Sequence, residues 1–254
     1  MENKGKKAYI TGGSRGIGKG IVQVLSSSGY DIVFTYNSEK SEAIALKKET
    51  EAKGVKCEFM QASLEKADVA VPTAKRAIEI LGGIDLFVSN AGLTRHNSLL
   101  SVDTEMMDFL YTLNYKSYIL GSKVAANHMV DNKIKGSIVF ITSTRGIRAY
   151  PEDCLYGSFK AGLMRGVESM ALEMAQYGIR INCIAPGATE IREEPSLEVV
   201  TDGSFVSKIP LRRKGAPKEV GALVEYLASD KAAYMTGNTI KLDGGLILSG
   251  MPEV

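Results

Sequence analysis

The sequence has few of the residues that metal centres and disulfide frameworks need. Its 254 residues include only two histidines and three cysteines. The histidines, His96 and His128, are isolated, and the cysteines (Cys57, Cys154 and Cys183) are odd in number, far apart and without ligand spacing. We therefore expect no metal site and no disulfide framework, and we expect a reducing, cytoplasmic compartment.

The sequence also lacks an excess of charge and long apolar runs. Lysine and arginine number 31 against 29 acidic residues, a net charge of +2 with no block of one sign. This balance gives no support to a nucleic-acid or membrane-surface partner. No uncharged apolar run approaches the roughly 18 residues of a spanning helix. We therefore expect neither a nucleic-acid nor a membrane partner.

Short apolar runs alternate with helical patterns along almost the whole chain. The runs predict strands at Lys7–Thr11, Asp31–Tyr36, Lys56–Gln61, Ile84–Ser89, Ser137–Thr142, Arg180–Ile184 and Thr239–Leu242. Helices are predicted near 16–28, 39–53, 65–81, 104–131, 155–177 and 217–229. This alternation predicts right-handed βαβ units in an α/β fold, a doubly wound parallel sheet of about seven strands with helices on both faces. We expect one domain over residues 1–254.

One polar, irregular segment interrupts this pattern at residues 188–215. Ligands of such folds bind outside the carboxyl ends of the strands, so the segment is predicted to be a substrate lid. A plain surface connection is the alternative.

A glycine-rich turn follows the first predicted strand. Residues 11–18 read T-G-G-S-R-G-I-G, with Gly12, Gly16 and Gly18 ahead of a helix. Glycine permits positive φ and leaves no Cβ between the backbone and a phosphate, and the helix start offers free N–H groups to a pyrophosphate. The turn therefore predicts a Rossmann-type dinucleotide site.

The end of the second predicted strand bears on which dinucleotide binds. An acidic residue there would bond the ribose hydroxyls of NAD, but residues 35–38 read T-Y-N-S. Arg15, with Asn37 and Ser38 as donors, can reach a 2′-phosphate. We expect NADP(H) to be preferred; the alternative is that Arg15 is solvated and NAD(H) also binds.

Four polar residues are spaced as an acid–base site needs. Tyr156 and Lys160 lie four residues apart, on one face of a predicted helix. Ser143 ends the fifth predicted strand, and Asn114 lies in the helical stretch before it. Each residue alone also has an ordinary structural interpretation.

Taken together, these motifs resemble the short-chain dehydrogenase/reductase family, in the subgroup of 3-oxoacyl-carrier-protein reductases and glucose 1-dehydrogenases. The resemblance covers about Gly5 to Gly245 and includes Ser89-Asn90-Ala91-Gly92, Pro186-Gly187 and the tail at 227–245. It implies that Asn114, Ser143, Tyr156 and Lys160 are catalytic. The cofactor contacts that we expect are Gly12, Ser14, Arg15, Gly16, Ile17, Gly18, Asn37, Ser38, Ser63, Leu64, Asn90, Ala91, Gly92, Tyr156, Lys160, Pro186, Gly187 and Thr189.

The resemblance also assigns a role to each catalytic residue. Tyr156 would exchange a proton with the substrate oxygen, Ser143 would hold that oxygen, Lys160 would fix the nicotinamide ribose, and Asn114 would seat a relay water. A tyrosine acting near neutrality needs its pKa lowered by roughly 3 units from about 10. We expect the Lys160 ammonium, with the oxidised nicotinamide, to lower it.

Three positions depart from the family pattern. Ser89 replaces an asparagine, and Ser63 stands where many members have an aspartate beside the adenine. Ile191 occupies the usual place of a threonine, so Thr189 is expected to meet the carboxamide instead.

Two sets of residues suggest different substrates. Arg95, Arg145, Arg148 and Arg192 together would form a basic mouth for an anionic or polyhydroxyl substrate, although separately solvated arginines are the alternative. Leu93, Tyr150 and Phe205 would form an apolar wall for a steroid-like or acyl ketone, unless they only pack. Tyr177 stands where carrier-protein reductases tend to have a basic residue, which argues slightly against a carrier-protein partner.

The function that we expect is an NADP(H)-dependent interconversion of a ketone and a secondary alcohol. The small-molecule substrate would be a 3-oxoacyl thioester, a sugar or a hydroxysteroid-type compound. The alternative is a non-catalytic NADP(H)-binding sensor, although such proteins usually lose the tyrosine or the lysine. The resemblance further implies that the two long helical stretches pair across two-fold axes into a homotetramer.

Overall fold

A seven-stranded parallel sheet forms the centre of the protein. The computed structural model describes residues 3–191 and 205–248. The strands are β1 (Lys7–Ile10), β2 (Asp31–Tyr36), β3 (Cys57–Gln61), β4 (Leu86–Ser89), β5 (Ser137–Ile141), β6 (Arg180–Pro186) and β7 (Thr239–Leu242). Their order in the sheet is β3-β2-β1-β4-β5-β6-β7, and every neighbouring pair is parallel. The predicted fold class is confirmed.

The inner strands β2, β1, β4, β5 and β6 are apolar on both faces because each face carries its own core. Along β1, Ala8 and Ile10 pack into one hydrophobic cluster, while Tyr9 packs into another on the opposite face. In β5, Val139 and Phe140 divide in the same way. This one-residue alternation follows from the pleat of a strand, and it explains why the strands appear in the sequence as continuous apolar runs.

In the part of the chain that the structure describes, seven α-helices cover the two faces. They are α1 (Gly16–Ser28), α2 (Lys40–Glu51), α3 (Ala70–Leu81), α4 (Thr104–Tyr111), α5 (Ser117–Asp131), α6 (Cys154–Met174) and α7 (Pro217–Ala228). Buried residues of α1, α2 and α7 join one core, and those of α3, α5 and α6 join the other. The sheet is therefore doubly wound, as predicted.

Two predicted helices differ from the structure. The helix predicted at 65–81 begins only at Ala70, and Pro72 lies in its first turn, where a missing N–H costs nothing. The stretch predicted as one helix at 104–131 is three elements, because a π-helical turn, Thr112–Lys116, separates α4 from α5.

The predicted lid is described only at its two ends. Residues 192–204 lie outside the described residues, and with them Arg192. At the neck of the segment, Gly215 N donates to Ala188 O at 2.9 Å and Glu190 N to Gly215 O at 2.8 Å. Within the ranges 3–191 and 205–248, no helix is long and apolar enough to cross a membrane.

Candidate active site

The candidate site lies at the carboxyl edge of the sheet, where the strand order reverses. Beyond this edge β1 leads into the glycine-rich turn, and β4 leads into Asn90, Ala91 and Gly92. Ser143 follows β5 at the same edge. Open α/β sheets bind their ligands at such a point, so the fold brings the motifs found in the sequence to one side of the molecule.

Close backbone approach explains the glycines of the turn. A Cβ on Gly18 would lie 2.0 Å from Gly12 O, and a Cβ on Gly12 would lie 2.9 Å from Ala91 Cα. Gly12 and Gly16 also have positive φ, at 65° and 52°. Side chains at these positions would push the turn away from α1 and from the segment after β4.

Asn90 connects the segment after β4 to the glycine-rich turn. Its Nδ2 donates to Thr11 O at 3.0 Å and to Gly12 O at 2.9 Å. The backbone N–H groups of Asn90 and Ala91 both donate to Thr11 Oγ1, at 2.8 and 3.0 Å. The Asn90 side chain thus binds the glycine-rich turn directly. This contact needs only Asn90, so it is kept although Ser89 replaces the preceding asparagine of the family pattern.

The start of α1 fits the pyrophosphate of a dinucleotide. Arg15 is the N-cap in extended conformation, and its side chain makes no capping hydrogen bond. The first N–H groups of a helix have no partner within the helix and carry partial positive charge. The first turn of α1 contains no acidic residue. These residues, with Ser14 and Ile17 beside them, can hold the phosphates of NAD(P)(H).

The ends of β2 and β3 form the expected corner for the adenosine ribose. Ser63 Oγ donates to Asn37 Oδ1 at 3.3 Å, and Arg15, Asn37 and Ser38 are exposed. Glu39, which the sequence reasoning missed, contacts Ser38, with 3.5 Å between Oε1 and Oγ. An acidic group therefore lies near the corner, although not at the end of the strand.

Other predicted cofactor contacts lie after β3, at Leu64, and after β6, at Gly187 and Thr189. Leu64 is buried in a small cluster with Ala91 packed against it. Gly187, after β6, has no room for a side chain, because a Cβ would lie 2.7 Å from Asp243 Cβ. Thr189 Oγ1 lies 3.4 Å from Gly187 O. Ile191, at the beginning of the predicted lid, comes within 3.4 Å of a Cβ placed on Gly16.

The π-helical turn positions Asn114. The side chain is fully buried, where Nδ2 donates to Leu93 O at 3.0 Å and Leu110 O at 3.2 Å, and Oδ1 accepts from Leu93 N at 3.2 Å. π-helical turns are frequent at functional sites. Asn114 thereby fixes the backbone just after Gly92, and a Cβ on Gly92 would lie 2.8 Å from its Oδ1.

Ser143 and Tyr156 are brought together by β5 and the first turn of α6. Hydrogen bonding from the Ser143 hydroxyl acts to lower the pKa of Tyr156. Ser143 Oγ also accepts the Arg145 N–H at 3.2 Å. Because Oγ accepts from that N–H, the hydroxyl proton of Ser143 remains available for another acceptor.

The expected lowering of the Tyr156 pKa is not found in the protein alone. Burial raises this pKa to about 12, the Ser143 hydrogen bond lowers it, and the charges of Asp153 and Arg145 raise and lower it respectively. Tyr156 is therefore a neutral phenol near pH 7. Lys160 is the residue with a lowered pKa, about 7, because it is buried.

Lys160 contacts a residue that the sequence reasoning missed. Its Nζ donates to Tyr118 Oη at 2.9 Å and to Ile141 O at 3.1 Å. The ring centroid of Tyr156 is 5.6 Å from Nζ. Tyr118 is fully buried on α5. Its spacing of four residues from Asn114 was the one sequence feature that could have indicated a role in the site. Its contact with Lys160 depends on the packing of α5 on β5.

Of the four arginines predicted to form a basic mouth, the structure describes Arg95, Arg145 and Arg148, and each has its own partner. Arg145 Nη1 pairs with Asp153 Oδ2 at 3.1 Å, Arg95 stacks on Phe109 at 4.3 Å, and Arg148 lies 3.5 Å from Leu246 O. Opposite charge thus offsets Arg145, and the other two turn to separate partners.

A cavity of about 470 Å³ lies beside α6. Arg145, Arg148 and Tyr150 line it, but Ser143 and Tyr156 do not. Of the other predicted substrate residues, Leu93 and Phe205 are exposed at 42% and 49%, so neither is used up by core packing. Within the described residues, no cluster of three or more His, Cys, Asp or Glu could hold a metal ion, and all three cysteines are free thiols.

Fold and site together define a dinucleotide-binding oxidoreductase of the doubly wound α/β class. A family model described as enoyl-(acyl carrier protein) reductase matches residues 12–247. The chain belongs to the short-chain dehydrogenase/reductase family, whose members act on carbonyl and alcohol groups.

Two relatives illustrate the range of functions in this family. The 3-oxoacyl-[acyl-carrier-protein] reductase FabG of Staphylococcus epidermidis is 32% identical, over 96% of this chain and 99% of the relative. The glucose 1-dehydrogenase 2 of Bacillus subtilis is 33% identical, over 96% and 95%. The two relatives have nearly the same identity to this chain but different substrates in their names.

Three solved structures are similar over nearly their whole length. A short-chain dehydrogenase/reductase from Serratia marcescens is 29% identical with a TM-score of 0.89, covering 97% of this chain and 99% of its own. The acetoin dehydrogenase YohF of Salmonella typhimurium is 28% identical with a TM-score of 0.91, covering 98% of both chains. A blue fluorescent protein from a metagenomic library, in complex with NADPH, is 30% identical with a TM-score of 0.89, covering 97% and 100%.

Proposed function

We propose that this chain is an NADP(H)-dependent oxidoreductase that interconverts a ketone and a secondary alcohol, with Tyr156 as the acid and base. The observation that carries this proposal is the arrangement at the carboxyl edge of the sheet, where Ser143 follows β5 and Tyr156 lies in the first turn of α6, with its ring centroid 5.6 Å from the Nζ of the buried Lys160. When bound, the nicotinamide cofactor supplies or accepts the hydride.

In the reductive direction Tyr156 donates a proton to the carbonyl oxygen. Its phenol is fully protonated near neutrality because its pKa is about 12. Ser143 donates a hydrogen bond to the same oxygen as negative charge develops there. In the oxidative direction Tyr156 takes the proton back, and the positive charge of Lys160 favours the phenolate.

The preference for NADP(H) rests on Arg15. Arg15 is exposed at the start of α1, and a guanidinium binds phosphate oxygens well. Gly13 N donates to Thr35 O at 2.8 Å, so the glycine-rich turn borders the end of β2 that leads to Asn37 and Ser38. The NADPH complex of a similar structure supports the same choice. Glu39 near the corner favours NAD(H) instead, so both cofactors belong in the first assay.

We infer that the part of the substrate next to the reacting carbon is uncharged. The Asp153 carboxylate offsets Arg145, and Arg95 and Arg148 face other partners. Oxoacyl thioesters, sugars and hydroxysteroid-type compounds remain the three candidate classes. The names of the two curated relatives point to the first two.

The assay that tests this function follows nicotinamide absorbance with NADPH and with NADH. The panel contains an acetoacetyl thioester, a keto-steroid and a small diketone, and glucose with NADP⁺ for the reverse direction. Strong turnover of one class supports the proposal and identifies the substrate class. Tight NADPH binding with no turnover of any compound would favour the sensor function.

The first prediction concerns the acid itself. We expect Tyr156→Phe to lower kcat at least about 100-fold, because general acid catalysis contributes roughly that much. The NADPH dissociation constant, measured by fluorescence, should change less than about threefold, since the variant loses one hydroxyl and keeps the ring. Ser158→Ala, an exposed change two residues along α6, is the matched control. Turnover by the Tyr156 variant equal to the parent would refute the assignment.

We further propose a cytoplasmic homotetramer built from one catalytic domain per chain. The free cysteines are consistent with a reducing compartment, and two-fold assembly is the commonest way to bury the exposed faces of an oligomeric enzyme.

A further inference from the structure

The amine of Lys160 is buried, and its ammonium form has no partner of opposite charge among the described residues. The residue is 2% exposed, and among residues 3–191 and 205–248 no carboxylate lies within 4 Å of its Nζ. A buried ammonium normally needs such a partner, because transferring a charge out of water is costly. Whatever holds this ammonium must therefore be neutral.

The groups around Nζ come from four elements. Tyr118 on α5 accepts a hydrogen bond at 2.9 Å, and its ring centroid lies 4.3 Å from Nζ. Ile141 O at the end of β5 accepts at 3.1 Å. Tyr156, on α6 with Lys160, offers its ring at 5.6 Å, and the Cys183 thiol on β6 is kept neutral because burial raises its pKa to about 12.

Tyr118 is itself held rigidly. Its hydroxyl donates to Ile141 O at 3.1 Å, and its ring meets Phe140 edge-on at 5.5 Å. With its proton given to Ile141 O, the Tyr118 oxygen can only accept from Lys160. Burial raises the pKa of Tyr118 well above its usual value, so the acceptor is a neutral phenol throughout the working pH range.

We propose that Tyr118 is a positioning residue of the reaction, which holds the charged Lys160 ammonium beside Tyr156 through its hydroxyl and its ring. This inference rests on the proposed function, because Lys160 matters only if Tyr156 is the acid and base. It adds a residue outside the four that the sequence motifs assign. Tyr118 acts on the substrate only through Lys160.

The direct test measures the titration of Lys160 in the protein without substrate or cofactor. With ¹³C-labelled lysine, the ε-CH₂ signal of Lys160 should titrate near pH 7, far from those of surface lysines at about 10.4. Lys160→Met assigns the signal by its loss. In Tyr118→Phe the ammonium loses an acceptor, so the midpoint should fall by about half a unit or more.

Tyr9→Phe is the matched control. Tyr9 is also fully buried in the same core and stacks on Phe87 at 5.2 Å, but it is not a partner of Lys160. Its removal should leave the Lys160 midpoint unchanged. If Tyr118→Phe does not fold, 3-fluorotyrosine at position 118, a weaker acceptor, should lower the midpoint by a smaller amount.

Kinetics provide the second readout. Tyr118→Phe should lower kcat for ketone reduction about tenfold with little change in the substrate KM, because positioning is lost and not substrate binding. The alkaline limb of the profile should move to lower pH, because Lys160 loses its proton earlier. A midpoint and kcat equal to those of the Tyr9 control would overturn the proposal. Full activity in Tyr156→Phe would instead overturn the proposed function, while the titration would still decide whether Tyr118 holds Lys160.

Discussion

The environment of Tyr156 sets the pH range in which it can act. Burial raises its pKa, and two nearby charges act in opposite directions, Asp153 raising it and Arg145 lowering it. The carboxylate of Asp153 is almost completely buried, and its Oδ2 lies 3.1 Å from Arg145 Nη1. Gly157 makes room for this pair, because a Cβ there would lie 3.2 Å from Asp153 Oδ2. Burial therefore keeps Tyr156 protonated, Asp153 adds to this effect, and Arg145 limits it.

Asp153→Asn should lower the pKa of Tyr156. The substitution removes the negative charge that raises the pKa of Tyr156. The positive charge of Arg145, which lowers this pKa, remains, so the pKa falls. We expect the second, higher step of the alkaline limb of kcat/KM for ketone reduction, which belongs to Tyr156, to move to lower pH by about half to one unit. The first step, which Lys160 sets near pH 7, should stay in place. Glu152→Gln, at an exposed neighbour, is the control and should leave the profile in place. A limb that moves to higher pH in the Asp153 variant would show that the carboxylate acts in another way.

At the scale of elements, the glycine-rich turn joins β1, α1 and the segment after β4. Gly18 has the closest contact, because its Cβ would meet Gly12 O at 2.0 Å. This obstacle is backbone, which cannot rotate away as a flexible side chain can. The packing of α1 on α7 shows the same requirement at Gly20, where a Cβ would lie 2.4 Å from the backbone of Pro217.

Gly18→Ala should therefore weaken both the fold and cofactor binding. Overpacking at a site without room costs about 1–3 kcal/mol, which lowers Tm by roughly 2–4 °C per kcal/mol in a protein of this size. The displaced turn should also raise the dissociation constant for NADPH about tenfold or more, since its N–H groups would no longer converge on one phosphate. Gly166→Ala is the control, because the nearest atom to its Cβ is Met170 Cε at 3.9 Å. Calorimetry and a fluorescence titration check both effects, and equal values for the two variants would contradict the prediction.

The elements could be predicted from the sequence wherever packing produces a simple pattern. The five inner strands were predictable because strands buried on both faces are apolar runs. The bounds of β2 and of the edge strand β7 agree with the prediction. The break in the helix at 104–131 was not, because residues 112–116 contain neither Gly nor Pro and a π-helical turn barely alters the hydrophobic period. Pro72 did mark the true beginning of α3.

Only those residues of the candidate site that lie in a local sequence motif could be predicted. Asn90, Ser143, Tyr156 and Lys160 each lie in a local pattern, and the structure places them at one edge of the sheet. Tyr118 has no such pattern, because its role depends on the position of α5 against β5. The ion pair of Arg145 with Asp153 was equally unpredictable, since seven residues separate the two in the sequence.

At the scale of the whole molecule, several large apolar side chains are left on the surface. Leu172 on α6 is 82% exposed, and Met107 on α4 and Tyr226 on α7 are exposed at 48% and 42%. Single exposed apolar residues are ordinary, but α6 is also one of the two long helical regions through which the family resemblance implies two-fold pairing. A two-fold interface contains the same residue from both subunits, so it buries two copies of each such side chain.

Leu172→Glu should weaken the proposed tetramer without unfolding the chain. Burial of a leucine contributes about 1.5–3 kcal/mol. In a two-fold interface the substitution removes this contribution from both subunits and places two glutamate charges close together. We expect light scattering after gel filtration to give about four times 27.4 kDa for the parent and a smaller species for the variant. Glu173→Gln, at the exposed neighbour of Leu172, should keep the parent mass. The Tm of the variant, extrapolated to low concentration, should match that of the parent, because Leu172 contributes little to the core of a single chain. A monomeric parent would contradict the proposed assembly, and a tetrameric Leu172→Glu would place the interface on other residues.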